Sequence, residues 1–409
     1  MIPNKGQKLR IIKAEELSTP ELVQMPDRRN DWIQYGIDNN FGKFLLGLLD
    51  KSSIHSSIQY NKINMTVGKG IVAEQPFQSN EIAIAYRKFI EQPNNDETLE
   101  ELTYKIVHDL VIFGAYAIEI IWSKDRQTIA SIHHLPYEKV RTGKPEDGKI
   151  THYYYSDDWM QIKKKEFTPE YIAAFDIENR KDPRQLLVVK EYNASSEYYG
   201  KPQYYSTIKY CEIDGLVADY HLNSMEGGLS AEYIIQLNNA EGMSQEEQDE
   251  LYYSIKQELS GTKGNKWMLT FGNGQDQQPT LIEIPSNAND QKFLTLQDAC
   301  MQNILTGNKL TNPGLAGIKT PQGLGSKDEL LDAFNLYYES VISKLVKTVT
   351  STYNKILRIN EIPITVSFEK AQPLPFSVSE QTLLQIADKN EIRSLLGMKP
   401  INDTTQQIN

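Results

Sequence analysis

Between residues 40 and 65 apolar positions recur at helical spacing. Phe44, Leu45, Leu48 and Leu49 fall on one side of a helix entered through Asn39-Asn40, Ile54 and Ile58 continue the pattern, and Gly68 and Gly70 stop it. Two more helices are predicted at 80–92 and 97–113. In the second, Leu99, Leu102, Ile106, Leu110 and Phe113 share a face, Thr98 and Glu101 have capping-box spacing, and Gly114 marks the end. From 116 to about 192 the period becomes two-fold. YAIEIIW, TIASIHHL, ITHYYY, YIAAFDI and LLVVKEY read as strands separated by turn-rich segments such as GKPEDGK, so the first half is predicted as α+β, helices followed by a meander.

Gly200 and Pro202 punctuate the chain before a helix predicted over about 203–225. Ile213, Leu216, Val217 and Tyr220 form its stripe, with Glu212, Asp214 and Asp219 off it; Gly215 inside costs roughly 1 kcal/mol relative to Ala. Residues 231–284 read as a small β-α-β-β unit: strand AEYIIQL, a helix opened by the capping box Ser244-Gln245-Glu246-Glu247, then strands KWMLTF and TLIEI. A helix at about 288–305 carries Phe293, Leu296, Cys300 and Ile304 on one face, with Lys292 among the polar positions away from it. Ser326 and Glu329 form another capping box, which launches the longest helix. Leu330, Phe334, Tyr337, Val341, Leu345, Val349, Tyr353 and Ile356 run in register along it to about Ile359. Such a helix spans about 50 Å, longer than is usual in a globular domain, and implies a bundle or a subunit interface. A strand, ITVSFEK, and a helical pair around 379–397, capped by Asn390 and ended by Gly397, close the chain.

Between the last two long helices lies LTGNKLTNPGLAGIKTPQGLGSK, Leu305 to Lys327. It holds five glycines, two prolines, three lysines and no acid, in a chain of net charge -11. Loops of this length without structure of their own are usually functional or disordered. The acidic balance argues against a surface that coats nucleic acid at random, because affinity for phosphates scales with the basic contacts offered. Twenty-three tyrosines suit surfaces covered on one side and wet on the other, as in a large oligomeric interface. The two cysteines, Cys211 and Cys300, have no metal-ligand spacing and read as small buried residues in a reducing compartment. With no apolar run near the ~20 residues of a membrane span, a soluble intracellular protein is expected.

Catalytic patterns are missing. GLGSK at 323–327 lacks the earlier glycine of a phosphate loop and reads as loop plus helix cap. His133 and His134 sit in a strand and face opposite sides, and His55, His108, His152 and His221 are isolated from other ligand types. There is no GxSxG elbow. The chain is expected not to be an enzyme and to need no metal or cofactor.

The order of elements resembles the portal proteins of tailed bacteriophages. YGIDNNFGKFLLGLLDKSSIHSSIQYNKINMTVGKGI (35–71) is similar to the lead-in of their wing domain. HHLPYEKVRTG (133–143) resembles the wing's strand-turn pattern, YYGKPQY (198–204) the junction before the first stem helix, and NEIRSLLGMKPI (390–401) the C-terminal tail. The resemblance implies an α+β portal-type architecture: a wing at 1–202, stem helices at 203–226 and 287–305, a β-α-β-β clip at 227–286, a flexible tunnel loop at 306–326, a long wing helix and strand at 327–376, and a short crown region at 377–409.

It further implies a twelve-fold ring at one capsid vertex through which double-stranded DNA is packaged and ejected, without sequence preference. The tunnel loop would present Asn308, Lys309, Asn312, Lys319 and Lys327 to DNA. Glu212, Asp214, Asp219 and Lys292 would line the stem wall, the carboxylates repelling phosphates so that DNA slides. Glu246, Glu247 and Glu250 on the clip would meet the packaging ATPase (terminase), which supplies the energy, and later the neck and tail adaptors; the major capsid protein would be a further partner. Location follows as the virion's portal vertex, and host cytoplasm during assembly. The alternatives are another ring-forming head-tail adaptor, or an intracellular enzyme with a site scattered beyond motif recognition.

Overall fold

The computed structural model describes residues 20–371 except 38, 165, 228–232, 238–249, 251–266, 272–279, 284–286 and 319–325. The first predicted helix is two: α1, Phe41–Lys51, and α2, Ser53–Val67. Ser52 between them is extended at φ -114 and ψ 109, and its hydroxyl oxygen accepts from His55 N, so the residue that ends one helix caps the next. α1 buries Phe41, Leu45 and Leu48. A short strand β1, Ile71–Ala73, leads to α3, Asn80–Glu91, and α4, Leu99–Phe113. The capping box of Thr98 and Glu101 is formed, and Gly114 closes α4 in the left-handed conformation.

Six strands follow: β2, Ala115–Trp122; β3, Ile129–Leu135; β4, Val140–Thr142; β5, His152–Tyr155; β6, Glu170–Ala174; and β7, Arg184–Lys190. They form one sheet in the order β3-β2-β7-β6-β5-β4, antiparallel except for the β6–β7 pair. This corrects the predicted meander. β4, β5 and β6 are sequential, but β7 crosses over to lie between β6 and β2. The reason lies in β2, whose run AYAIEIIW is buried along nearly its whole length; a strand of that kind takes a central place with a partner on each side. β4 was not among the predicted strands, being only three residues long.

After a 3-10 turn at Tyr205–Thr207 comes α5, Ile208–Gly227. A second sheet contains β8, Tyr233–Leu237, between β9, Trp267–Phe271, and β10, Thr280–Glu283. β8 is parallel to β9 and antiparallel to β10. A parallel pair needs a long crossover, and Glu250 within that crossover is helical. The rest of the helix predicted there lies outside the described residues, as does the helical pair at 379–397.

α6, Asn287–Gly307, packs against α5. The final long helix is α7, Lys327–Tyr337, a π turn at Tyr338–Ile342, and α8, Ser343–Ile359, ahead of β11, Val366–Phe368, which pairs with β1. Its predicted stripe is the core: Phe334, Tyr337, Val341, Leu345, Val349, Tyr353 and Ile356 are all buried. The π turn has a cause in that stripe. From Tyr337 to Tyr353 the apolar positions step by four each time, which carries them about 160° round an ideal α-helix. One extra residue in a wide turn takes back about 100° and keeps the stripe on one face. α8 is locked centrally by hydroxyl pairs, Tyr353 with Thr103 of α4 and Tyr116 of β2 with Thr352, each 2.7 Å.

Candidate functional site

α5 and α6 lie side by side, α5 against α1 and α6 against α2. Two glycines permit the approach. Gly215 lets α5 pass the end of α1, where a Cβ would stand 3.0 Å from the Cβ of Lys51. Gly307 at the end of α6 faces the methyl of Thr207. Between the helices Cys211 and Cys300 are fully buried, and burial pushes the Cys211 thiol up to about 12.

Asp214 was expected on a channel wall. It is 8% exposed, and the Ser52 hydroxyl donates to its Oδ2 at 2.7 Å. The helix places it toward the α1–α2 break because Cys211 and Asp214, three residues apart, share a face, so an inward carboxylate is corrected to a pin on the capping serine. Glu212 is half-buried and Asp219 exposed. Lys292 is in α6 and Lys327 opens α7, but their side chains lie outside the description.

The predicted stripes of α5 and α6 are only partly covered. Val217, Cys300 and Ile304 are buried, while Leu216 is 45% and Leu296 37% exposed; off the predicted stripes, Leu222 is 54% and Leu294 60% exposed. Residues 294–298 are exposed all round. Two leucines of this turn, Leu294 and Leu296, therefore present apolar surface to solvent among the described residues.

The segment expected as a free loop begins as packed structure. Asn308 is 1% exposed, correcting its expected place facing DNA. Its Nδ2 donates to Ile304 O at 2.9 Å; its Oδ1 accepts from Gln59 Nε2 at 2.8 Å and from Lys62 Nζ at 3.2 Å. Lys309 is exposed and left-handed at φ 58, with Leu310 N donating to Leu305 O at 3.0 Å, the bond that closes a helix C-terminus in a Schellman turn. Asn312 is half-buried, and its side-chain oxygen accepts from Gly314 N to cap the 3-10 turn Pro313–Ala316, so its oxygen serves its own turn. Leu310, Leu315 and Ala316 are buried. From α2, Asn61 Nδ2 donates to Leu315 O and Ser57 Oγ to Ala316 O, each at 2.6 Å. Lys319 lies outside the described residues. So do Glu246 and Glu247; Glu250 is exposed.

Sequence reading missed the polar stripe of α2. His55, Gln59, Lys62 and Thr66 recur at steps of four, three and four, and all are buried. Burial holds the Lys62 amine down at about 8, with Glu191 drawing it up and Lys309 pushing it further down. Burial, aided by Lys62, holds the His55 imidazole at about 3. The available signal was the pattern itself: polar residues at helical spacing on a helix whose apolar positions are few. Among the described residues no group of three or more His, Cys, Asp or Glu is placed to hold a metal ion.

No curated protein sequence matches the chain. Solved structures do. One, described as the virion of a native gene transfer agent particle, matches at a TM-score of 0.54 and 14% identity over 87% of this chain and 94% of the other. The neck of a native gene transfer agent particle, computed with C12 symmetry, matches at 0.55 and 14% over the same shares. An HK97-family phage portal protein from Corynebacterium diphtheriae matches at 0.48 and 8% over 84% and 98%. At such identities the two gene transfer agent structures show a shared fold. The family profile described as phage portal protein matches residues 75–397, most of the chain, and the chain accordingly belongs to the phage portal protein family.

Proposed function

We propose that copies of this chain close into a ring at one vertex of a phage capsid and that double-stranded DNA passes through its hole during packaging and ejection. The observation that carries the reading is the apolar surface of α5 and α6: among the described residues Leu216, Leu222, Leu294 and Leu296 are exposed on this helix pair. A neighbouring copy supplies the cover, and repetition of one contact closes a cyclic assembly. The similarity to a neck computed with twelve-fold symmetry supports twelve copies.

DNA contact is assigned to Lys309, with Lys319 and Lys327 beyond it, through phosphates and without base readout. Asp219 and Glu212 keep the bore from gripping the polyanion. Energy comes from a separate packaging ATPase that docks on the unit containing Glu246, Glu247 and Glu250, and neck adaptors occupy that surface afterwards. Reversing those three charges leaves rings intact and impairs motor docking in a pull-down.

Electron microscopy of the purified chain tests the whole reading. A ring with an axial hole wide enough for duplex DNA is expected. A stable monomer at micromolar concentration overturns it.

A further inference from the structure

We infer that α2 is the positioning element of the DNA-facing segment, and that Lys62 and Gln59 act through Asn308 to set where Lys309 stands. The function assigned to Lys309 rests on the portal reading; the geometry does not.

The grip has two ends. Gln59 and Lys62 hold the Asn308 side-chain oxygen at 2.8 and 3.2 Å, and Ser57 and Asn61 hold the carbonyls of Ala316 and Leu315 at 2.6 Å. Four polar side chains within two turns of one helix thus fix both ends of residues 308–316. α2 itself is immobilised against α4, α6 and the long helix. Tyr337 adds a long contact of 3.4 Å from its hydroxyl to Asn308 O. Lys309, between the two ends, adopts a left-handed backbone that favours glycine, and an exposed lysine there is held by its neighbours' bonds.

Lys62 is a costly choice for a mere filler. An ammonium 2% exposed, with one neutral acceptor at hydrogen-bond distance among the described residues, loses more hydration than it regains. An apolar residue of the same length would fill the space without that cost but could not hold Asn308. The charged and titratable groups that act on Lys62 are His55 on α2, Lys309 just past α6, and Glu191 after β7, which Gln203 and Lys344 engage; Tyr337 of α7 reaches the Asn308 carbonyl instead.

Detachment of the segment would return Lys62 to water, where it binds a proton more tightly. Protons therefore favour the detached form, and attachment tightens as pH rises through about 8. From pH 7 to 9 the protection of the attached segment grows by about tenfold.

The test is hydrogen exchange across residues 309–316 in the assembled full-length protein, corrected for intrinsic rates. The unaltered protein is expected to show that pH-dependent gain. Lys62→Met is expected to abolish the pH response and, with Gln59→Leu, to raise exchange of 309–316 at least tenfold while residues of α8 stay protected. Retention of a mixed-sequence duplex DNA by the ring is measured alongside. Lys309→Gln is expected to weaken retention and its salt dependence with exchange unchanged. If Lys309→Gln leaves retention intact while Lys62→Met still loosens the segment, the positioning role stands and the DNA assignment of Lys309 falls. If Lys62→Met changes neither exchange nor its pH response, the inference is overturned.

Discussion

Thr207 and Gly307 meet so closely at the root of the paired helices that a Cβ on Gly307 would stand 1.9 Å from the Thr207 methyl carbon. Thr207 cannot swing aside. It is 2% exposed, β-branched, and its hydroxyl donates to Tyr204 O at 2.8 Å.

Gly307→Ala is therefore expected to cost about 1–3 kcal/mol through overpacking. Thr207→Ser, which removes the offending methyl and keeps the hydroxyl, rescues most of it in the double variant. Urea unfolding of the four proteins in that cycle checks this; additive costs would mean the contact relaxes elsewhere.

Acid stability reads out His55. Its ordinary value is 6.5, and burial with Lys62 nearby lowers it to about 3 in the folded chain. Below pH 6.5 the unfolded chain takes up a proton that the folded chain refuses until about pH 3, so stability is lost as pH falls across that window. His55→Leu removes the proton linkage, and the gap between variant and unaltered protein narrows or reverses by roughly 2–3 kcal/mol from pH 7 to 4. Midpoints of denaturation at several pH values give the slope directly.

The π turn predicts an asymmetry between deletions. Removing exposed Ser340 takes out the extra residue and leaves a plain α-helix whose apolar stripe still faces the core, so the chain folds with a melting temperature within a few degrees of the original. Removing Thr348, eight residues on, swings one part of the stripe by about 100° relative to the other and prevents folding. Circular dichroism melts of the two separate these cases, and equal damage from both would show that the turn has another cause.

Leu222→Glu combined with Leu294→Glu addresses the ring. Both positions are more than half exposed, so the chain's own fold loses little. A carboxylate in a subunit contact is buried without a partner, which is strongly unfavourable. Analytical centrifugation is expected to show folded monomers; rings of normal size would place the interface elsewhere.

Much of the local structure was legible because its causes are local. Thr98 with Glu101 and Ser326 with Glu329 close hydrogen bonds over three residues, Gly114 supplies a left-handed stop, and the stripe of the long helix repeats within one segment. An uninterrupted helix is expected there; the π turn that the steps of four require appears only in the structure. The chain alone also placed three short strands between two helices, with a helix after the first of them; that β8 and β9 run parallel came from the tertiary structure.

Tertiary structure decided the rest, and in each case the deciding partner is far along the chain. Lys62 reads as surface charge until Asn308, 246 residues later, is brought to it. Asp214 reads as a solvent-facing acid until Ser52, 162 residues earlier, donates to it. β7 takes its central place only because β2 needs two neighbours. Leu216 and Leu296 look like core from their spacing, yet the fold leaves them outside. Periodicity states which residues of a helix share a face; what covers that face depends on how distant segments close against one another, and no pattern within a single helix contains that.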